Sequence, residues 1–460
     1  MNKYDLIVIG SGPSGEKAAI QAAKLDKRVL VVDNRESLGG NALHTGTIPS
    51  KTLRESVLFV ELMRTRTVYG ISVRMEKELN VNRLMHRKNA AVNSLAERVE
   101  KAFDRNGIDH IFGEASFTDS THVEVRSSQG GQEIFETDFT LIGTGSSPYR
   151  PSNINFDQER VRDSDTILLI ENIPRSLTVI GAGVIGCEYA TLFSKLGVKV
   201  NLVNPREVLL DFLDLEISNA LAYLMREGGI RIRLGENLKE VETDEHHVYA
   251  HMDSGKVLKS EYMLFANGRS GNTRGLGLEN VGIEVNRRDQ ISVNAFFQTS
   301  QPNIYAAGDV IGFPSLAATS MEQGRLAALH AFDGLEQEPE THLLPTGIYT
   351  IPEISTVGST EEQLTRDKVP YEVGAATYRE IARGQIVGNT TGRLKLLFHR
   401  ETLKLLGVHI IGEGATDLVH IGQVVMGFEG TIEYFIGNVF NYPTYSECYR
   451  VAALNGINRL

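Results

Sequence analysis

Two glycine-rich turns carry the residues whose spacing points most directly to chemistry. Gly10-Ser11-Gly12-Pro13-Ser14-Gly15 closes the apolar run 5–9, and Gly181-Ala182-Gly183-Val184-Ile185-Gly186 closes the run 177–180. In this pattern the first glycine (Gly10, Gly181) permits a tight turn. The second (Gly12, Gly183) lets backbone N–H groups approach a pyrophosphate at a helix N-terminus, and the third (Gly15, Gly186) lets the helix lie close on the strand. Pro13, Ser14 and Val184 then open the two helices. A second strand follows each turn. The run 28–32 ends at Asp33 and Asn34, and 199–203 ends at Asn204, each about 23 residues beyond the first glycine, close to where a ribose-binding side chain is expected. A carboxylate at Asp33 would accept hydrogen bonds from an adenosine ribose. Two such sites in one chain imply two dinucleotides held together, with electrons passing between them.

The elements around these turns predict an α/β protein. A chain of 460 residues is long enough for roughly three domains. Strand, glycine turn, helix (18–25) and strand fill the first 60 residues, a charged amphipathic helix covers about 78–106, and strands and turns alternate over 111–145. Thr144-Gly145 and Asn267-Gly268 end equivalent strand-to-glycine segments, an internal repeat at domain scale. Pro148 and Pro151 mark a boundary. Another apolar strand runs into Gly308-Asp309. From about 345 the pattern changes to a hairpin (393–399 and 404–411), then helices over 415–428 and 445–455. The domains expected are 1–150 with 270–344, an inserted 151–269, and 345–460.

Composition excludes several function classes. Net charge is −11 without a basic stripe, which argues against nucleic-acid binding. Cys187 and Cys448, the only cysteines, cannot form a disulfide framework and suit a reducing compartment. No apolar stretch reaches transmembrane length, and the N-terminus runs straight into the first strand rather than reading as a signal peptide, so cytoplasm is expected. His246, His247 and His251 could be mistaken for a metal cluster. The flanking alternation reads instead as a polar turn before a strand, and no metal is expected.

The order of these features resembles the two-dinucleotide-binding flavoprotein family that includes dihydrolipoamide dehydrogenase and glutathione reductase. The resemblance covers essentially the whole chain: the fingerprints at 10–15 and 181–188, the segment 39–51, Thr144-Gly145, Gly308-Asp309, and Pro443-Thr444-Tyr445-Ser446-Glu447. It implies two Rossmann-like domains, an NAD(P) domain inserted in an FAD domain, plus a C-terminal α+β domain that makes a homodimer. It also implies FAD contacts at Gly40, Asn41, Ala42 and Lys51 and at Thr144 and Gly145. Asp309 would bond the ribityl chain, a role compatible with capping a helix, Ala317 would contact the cofactor, and the Ala115 backbone would read adenine.

The departures from the family pattern decide the function. Disulfide reductases of this family carry Gly-Gly-x-Cys-x-x-x-x-Cys-Ile-Pro-Ser-Lys, whereas here Ala42 and Thr47 occupy the two cysteine positions. Neither can be a thiolate nucleophile. The family's C-terminal His-Pro-Thr-x-x-Glu reads Tyr442-Pro443-Thr444-Tyr445-Ser446-Glu447, so the histidine serving the thiol is missing as well. Cys187 and Cys448 then read as packing residues.

Without a thiol relay, electrons must leave at the flavin or nicotinamide face. The stretches 46–51, 345–354 and 440–444 resemble a subgroup whose implied reaction is ping-pong hydride transfer from NADPH through FAD to NAD⁺. A quinone reductase or diaphorase on the same scaffold, or a non-catalytic FAD-binding sensor, are the alternatives. In the family, Lys51 and Glu188 form an ion pair beside the flavin, where a positive charge favours the anionic reduced ring. Tyr442 and Glu447 are expected to reach the partner subunit's flavin face. Asn204, where NAD-specific relatives place an acid, removes a repulsion of about 1–4 kcal/mol against a 2′-phosphate about 4 Å away. Arg206 could reach that phosphate with its planar fork, so the site would accept both NADP(H) and NAD(H).

Overall fold

The computed structural model describes residues 3–65, 70, 80–127, 130–156, 159–334 and 343–460. They form two compact units. One is Met1–Leu53, Val81–Tyr149 and Gly268–Pro339; the other is Arg54–Asn80, Arg150–Asn267 and Glu340–Leu460.

In the first unit, Asp109–Asp119, Val29–Asp33, Lys3–Ile9, Gln132–Ile142 and Ile304–Ala306 lie side by side as parallel strands. Lys3–Ile9 and Val29–Asp33 are buried almost throughout, as strands covered on both faces must be. Asp109–Asp119 and Gln132–Ile142 outrun this sheet, and their extensions pair antiparallel with His122–Ser127. The first helix is Pro13–Ala23, beginning five residues before the expected 18–25. Proline suits a first helical position because the N–H it lacks has no intrahelical partner there. Helix Ala317–Asp333 packs against it so closely that a Cβ on Gly324 would sit 2.0 Å from the Ser14 carbonyl oxygen. The amphipathic helix expected over 78–106 is two helices, Val81–Leu84 and His86–Arg105, and positions 78–79 lie outside the described residues. Met85 breaks it at φ −87° and ψ 3°. Val81, Leu84 and Met85 are all buried, which places three nearby apolar side chains in the interior at the break.

The second unit contains a parallel sheet in the order Arg231–Leu234, Lys199–Asn204, Ser176–Ile180, Tyr262–Phe265, Val161–Arg162. Helices Val184–Lys195 and Leu215–Glu227 follow two of its strands. Leu238–Thr243, Val248–Met252 and Val257–Ser260 form an antiparallel meander. His246 and His247 lie in the polar turn of this meander and donate their backbone N–H groups to Asp244 Oδ1, both at 2.7 Å. A five-stranded antiparallel sheet runs Thr346–Ile348, Ile354–Gly358, Leu405–Gly412, Gly392–His399, Tyr371–Thr377. Its middle hairpin lies within a residue of the expected one, and helices Ala415–Gly427 and Glu447–Ile457 follow.

Cys187 and Cys448 are buried, and burial pushes both thiols up, Cys448 to about 12. Among the described residues, no helix is long and apolar enough to cross a membrane.

Candidate functional site

The first glycine turn is built by close backbone approach. Gly10 has φ +104°, and a Cβ there would lie 2.4 Å from the Gly143 carbonyl oxygen. A Cβ on Gly15 would lie 1.8 Å from the Gly10 carbonyl oxygen, and one on Gly40 would lie 2.7 Å from Gly12 Cα. Gly12 caps helix Pro13–Ala23 with no side-chain hydrogen bond. The first N–H groups of that helix are therefore left to a ligand or solvent.

Asp33 faces this turn from the next strand, and the turn's own groups engage it. Oδ2 accepts from the Ser11 N–H at 2.7 Å and the Ser11 hydroxyl at 2.6 Å, while Oδ1 accepts from the Arg35 N–H at 2.9 Å. The Ser11 hydroxyl also accepts from the Gly39 N–H at 3.0 Å, which joins the turn to the segment carrying Gly40, Asn41 and Ala42. Asn34 is exposed beside Asp33. Asn41 donates to the Ser146 carbonyl at 2.7 Å and accepts from Arg35 Nη2 at 2.8 Å.

Ser146 gathers residues from three parts of the chain. Its hydroxyl donates to Asp309 Oδ2 at 2.8 Å and accepts from Arg269 Nε at 2.7 Å. Asp309 begins a short 3₁₀ turn capped by Gly308, so a capping role does not describe its side chain. Ala317 opens its helix from a Leu316 cap that makes no side-chain hydrogen bond. Nearby in sequence, the buried Thr144 hydroxyl has no hydrogen-bond partner among the described residues, and the Thr144 and Gly145 carbonyls accept from Asn272. Sequence reasoning missed Ser11, Ser146 and Arg269. Ser11 stood inside the fingerprint and could have been found, whereas nothing local marks Ser146 and Arg269, which lie 123 positions apart.

The position of Ala115 follows from strand parity. Phe117 donates its N–H to the Leu276 carbonyl at 2.7 Å and accepts at its carbonyl from Asn280 Nδ2 at 2.8 Å. Phe117 thus turns both backbone groups away from His122–Ser127. Ala115, two residues earlier on the same strand, turns its N–H and C=O to the same edge. Ala42 lies on the short helix Gly40–His44, and Thr47 opens helix Thr47–Thr65, on which Lys51 is half-buried.

The second turn, in the other unit, repeats the construction. Gly181 has φ +103°, and a Cβ there would lie 2.7 Å from the Ala266 carbonyl oxygen; a Cβ on Gly186 would lie 1.8 Å from that of Gly181. Gly183 caps helix Val184–Lys195 with no side-chain hydrogen bond and faces open space where a Cβ would stand. Asn204 turns its amide hydrogens into the following loop, donating to the Arg206 carbonyl at 3.2 Å and the Val208 carbonyl at 2.8 Å. Its Oδ1 accepts from the Ala182 N–H at 3.4 Å. Arg206 is exposed and pairs with Asp211. Gly268, φ +97°, belongs to the first unit.

Of the remaining candidates, Glu188 accepts the Tyr349 N–H at Oε1, 2.8 Å. Lys51 and Glu188 fall in different units. Tyr442 is 75% exposed, and Glu447 Oε2 is buried without a hydrogen-bond partner among the described residues. Asp214, Glu216 and Glu361 bring carboxylates together in a way that could suit a cation. Lys395 already supplies one: its ammonium lies 2.8 Å from Asp214 and 3.1 Å from Glu216, and it also pairs with Glu361.

Two uncapped helix N-termini, each behind a turn that admits no side chain at its first and third glycines, fit two pyrophosphates. Sequence comparison agrees. Residues 4–324 match the model of the pyridine nucleotide-disulphide oxidoreductase family, and 344–453 match its dimerisation domain. A Marinomonas protein named soluble pyridine nucleotide transhydrogenase is 49% identical over 460 residues, 99% of each chain. A Yersinia pestis protein of the same name is 48% identical, covering 99% of this chain and 98% of the other. Among solved structures, Mycobacterium tuberculosis LpdA superposes with TM-score 0.91 at 25% identity over 99% of each chain. The HOCl-induced flavoprotein disulfide reductase RclA of Escherichia coli, as its Cu(II) complex, does so with TM-score 0.89 at 26% identity, also over 99% of each.

Proposed function

We propose that this chain, which belongs to the pyridine nucleotide-disulphide oxidoreductase family, moves hydride between NADPH and NAD⁺ by way of bound FAD and without a redox disulfide. One observation carries this reading: both dinucleotide turns are intact while Ala42 and Thr47 stand at the family's thiol positions. The name shared by the curated relatives supports it.

The first unit would hold FAD. The N-terminus of helix Pro13–Ala23 would take its pyrophosphate, and the Ala115 edge its adenine. Asp33, fixed by Ser11, would stand at the ribose, with Asp309 at the ribityl chain. Gly40, Asn41, Thr144, Gly145 and Ala317 would line the path between them. When bound, FAD supplies a two-electron acceptor and donor, which is the chemistry that the segment 39–51, with Ala42 and Thr47 in place of cysteines, cannot provide.

The second unit would hold either nicotinamide nucleotide at Gly181, Gly183 and Gly186, with Asn204 and Arg206 at the adenosine end. Lys51 and Glu188 would orient charge beside the flavin, and a fixed cation there needs no reorganisation as negative charge develops. We read 1–150 with 270–344, 151–269 and 345–460 as FAD, nicotinamide-nucleotide and dimerisation domains; positions 335–342, ahead of the last boundary, lie outside the described residues. A homodimer in the cytoplasm completes the proposal, with Tyr442 and Glu447 at the partner's flavin.

The test is stopped-flow bleaching of the flavin by NADPH, then mixing with NAD⁺ or a quinone, with no thiol substrate present. Fast bleaching and fast reoxidation by NAD⁺ is expected. Reoxidation by quinone alone would replace this reading with a quinone reductase, and no bleaching would make the protein a non-catalytic flavin binder.

A further inference from the structure

The loop between strand Lys199–Asn204 and helix Leu215–Glu227 is pinned along its length. Asn204 holds the Arg206 and Val208 carbonyls, and the Leu210 N–H donates to the Ala182 carbonyl at 3.1 Å, directly on the second glycine turn. The Ser218 hydroxyl donates to the Leu209 carbonyl at 2.5 Å, and Asp214 caps the next helix by accepting the Glu216 N–H at 3.2 Å. Leu209 and Leu210 are buried. Two charged side chains of this fixed loop stay outside, Arg206 at 65% and Asp211 at 45% side-chain exposure, and they pair with each other. Asp211 directly follows the residue that bonds the glycine turn.

We propose that Asp211 sets nucleotide selectivity by acting as the counter-ion of Arg206. With a 2′-hydroxyl nucleotide bound, the guanidinium stays on Asp211, and no unpaired cation is left beside the ribose. With a 2′-phosphate nucleotide bound, the guanidinium moves to the phosphate, whose higher charge and three oxygens make it the stronger partner. The gain from that contact is reduced by the ion pair that has to break. The two affinities are thereby drawn together, as one site serving two nucleotides in alternation requires. Asn204 contributes by its neutrality, and Asp211 by holding the cation in reserve. This inference rests on the nucleotide site proposed above for the second unit.

The test is calorimetric titration of the FAD-loaded protein with NADP⁺ and with NAD⁺, for wild type, Asp211→Asn, Arg206→Gln and the double variant. An exposed ion pair is worth little, so Asp211→Asn is expected to tighten NADP⁺ by about two- to fivefold and to leave NAD⁺ unchanged. Arg206→Gln should weaken NADP⁺ selectively, and adding Asp211→Asn to it should change nothing further. An unmoved NADP⁺/NAD⁺ ratio in Asp211→Asn would overturn the inference while leaving the nucleotide site standing. So would an equal tightening of NADP⁺ with and without Arg206, since Asp211 would then act only as a distant negative charge. Wild-type protein that binds neither nucleotide would overturn the site and the inference together. Both side chains are exposed, and unchanged thermal unfolding of the variants would show that they fold normally.

Discussion

Glu188 accepts the main-chain N–H of Tyr349 at 2.8 Å. One helical turn on, Thr191 Oγ1 accepts that of Ile351 at 3.2 Å. The helix that opens at the second glycine turn is therefore tied, through side chains on one face, to the backbone of the connection between strands Thr346–Ile348 and Ile354–Gly358 of the five-stranded sheet. Glu188 carries a structural hydrogen bond as well as its proposed charge.

The two roles of Glu188 separate by substitution. Glu188→Gln retains an acceptor for the Tyr349 N–H but removes the charge. Slower flavin reduction by NADPH is expected, by about tenfold or more, with thermal stability near wild type. A normal rate in Glu188→Gln together with a defect in Glu188→Ala would leave only the hydrogen bond. Lys51→Met, with FAD retained, should show the same slow reduction.

Asp33 holds three groups of the first unit, among them the Ser11 N–H and hydroxyl within the fingerprint. Hydrogen bonds to a charged acceptor are worth about 1.5–3 kcal/mol each when lost. Asp33→Ala should therefore purify with little flavin, and its FAD affinity, measured by fluorescence recovery on adding FAD to apoprotein, should fall by tenfold or more, roughly the loss of one such bond.

Gly324 admits no side chain, because a Cβ would sit 2.0 Å from the Ser14 carbonyl oxygen. Gly324→Ala must push helix Ala317–Asp333 off helix Pro13–Ala23. Overpacking of this kind costs about 1–3 kcal/mol. A drop in unfolding midpoint together with loss of bound flavin is expected, and an unaltered holoprotein would contradict the packing.

Lys395 is buried among Asp214, Glu216 and Glu361. Burial works against its charge, but the hydrogen bonds it donates to Asp214 and Glu361 outweigh burial and raise its pKa above 10.5. Burial likewise works against the Asp214 carboxylate, and His409 and Lys395 together hold it below 3.8. Stability from Asp214 is therefore present above pH 3.8 and lost as pH falls through the lowered value; that from Lys395 is present below pH 10.5 and lost as pH rises through the raised one. Lys395→Met should cost about 3–5 kcal/mol near neutral pH, because it strands the buried Asp214 carboxylate. Protonation relieves it, so the deficit in thermal melts should shrink toward acid pH. A deficit independent of pH would point to packing alone.

Burial raises both thiols, so neither Cys187 nor Cys448 should react with a disulfide reagent until the protein unfolds. The Cys187→Ala, Cys448→Ala double variant should still pass electrons from NADPH to NAD⁺ in a coupled absorbance assay. Loss of that transfer with the fold intact would restore a thiol to the mechanism.

Local signals made much of the molecule legible in the sequence. The glycine turns, the second strands ending at Asp33 and Asn204, and the 393–411 hairpin depend on neighbours in the chain and on alternating apolar residues, and each lies within a residue or two of its expected place. The helix expected over 78–106 is found as two, Val81–Leu84 and His86–Arg105, because periodicity reports which face is apolar and does not register the turn at Met85, whose side chain is buried.

Sequence by itself determined the chemistry that is possible. Ala42 and Thr47 exclude a thiol relay wherever they lie in space, because the missing atoms cannot be supplied by folding. Tertiary structure alone decided what the polar side chains do. Asp33 serves Ser11, Asn204 spends its amide hydrogens on its own loop, Arg206 faces Asp211, and Ser146 joins Arg269 to Asp309. The physical reason is that a hydrogen bond or ion pair is made by whichever partner folding brings within about 3 Å, and most of those partners are distant in sequence or hidden by the turn of a loop.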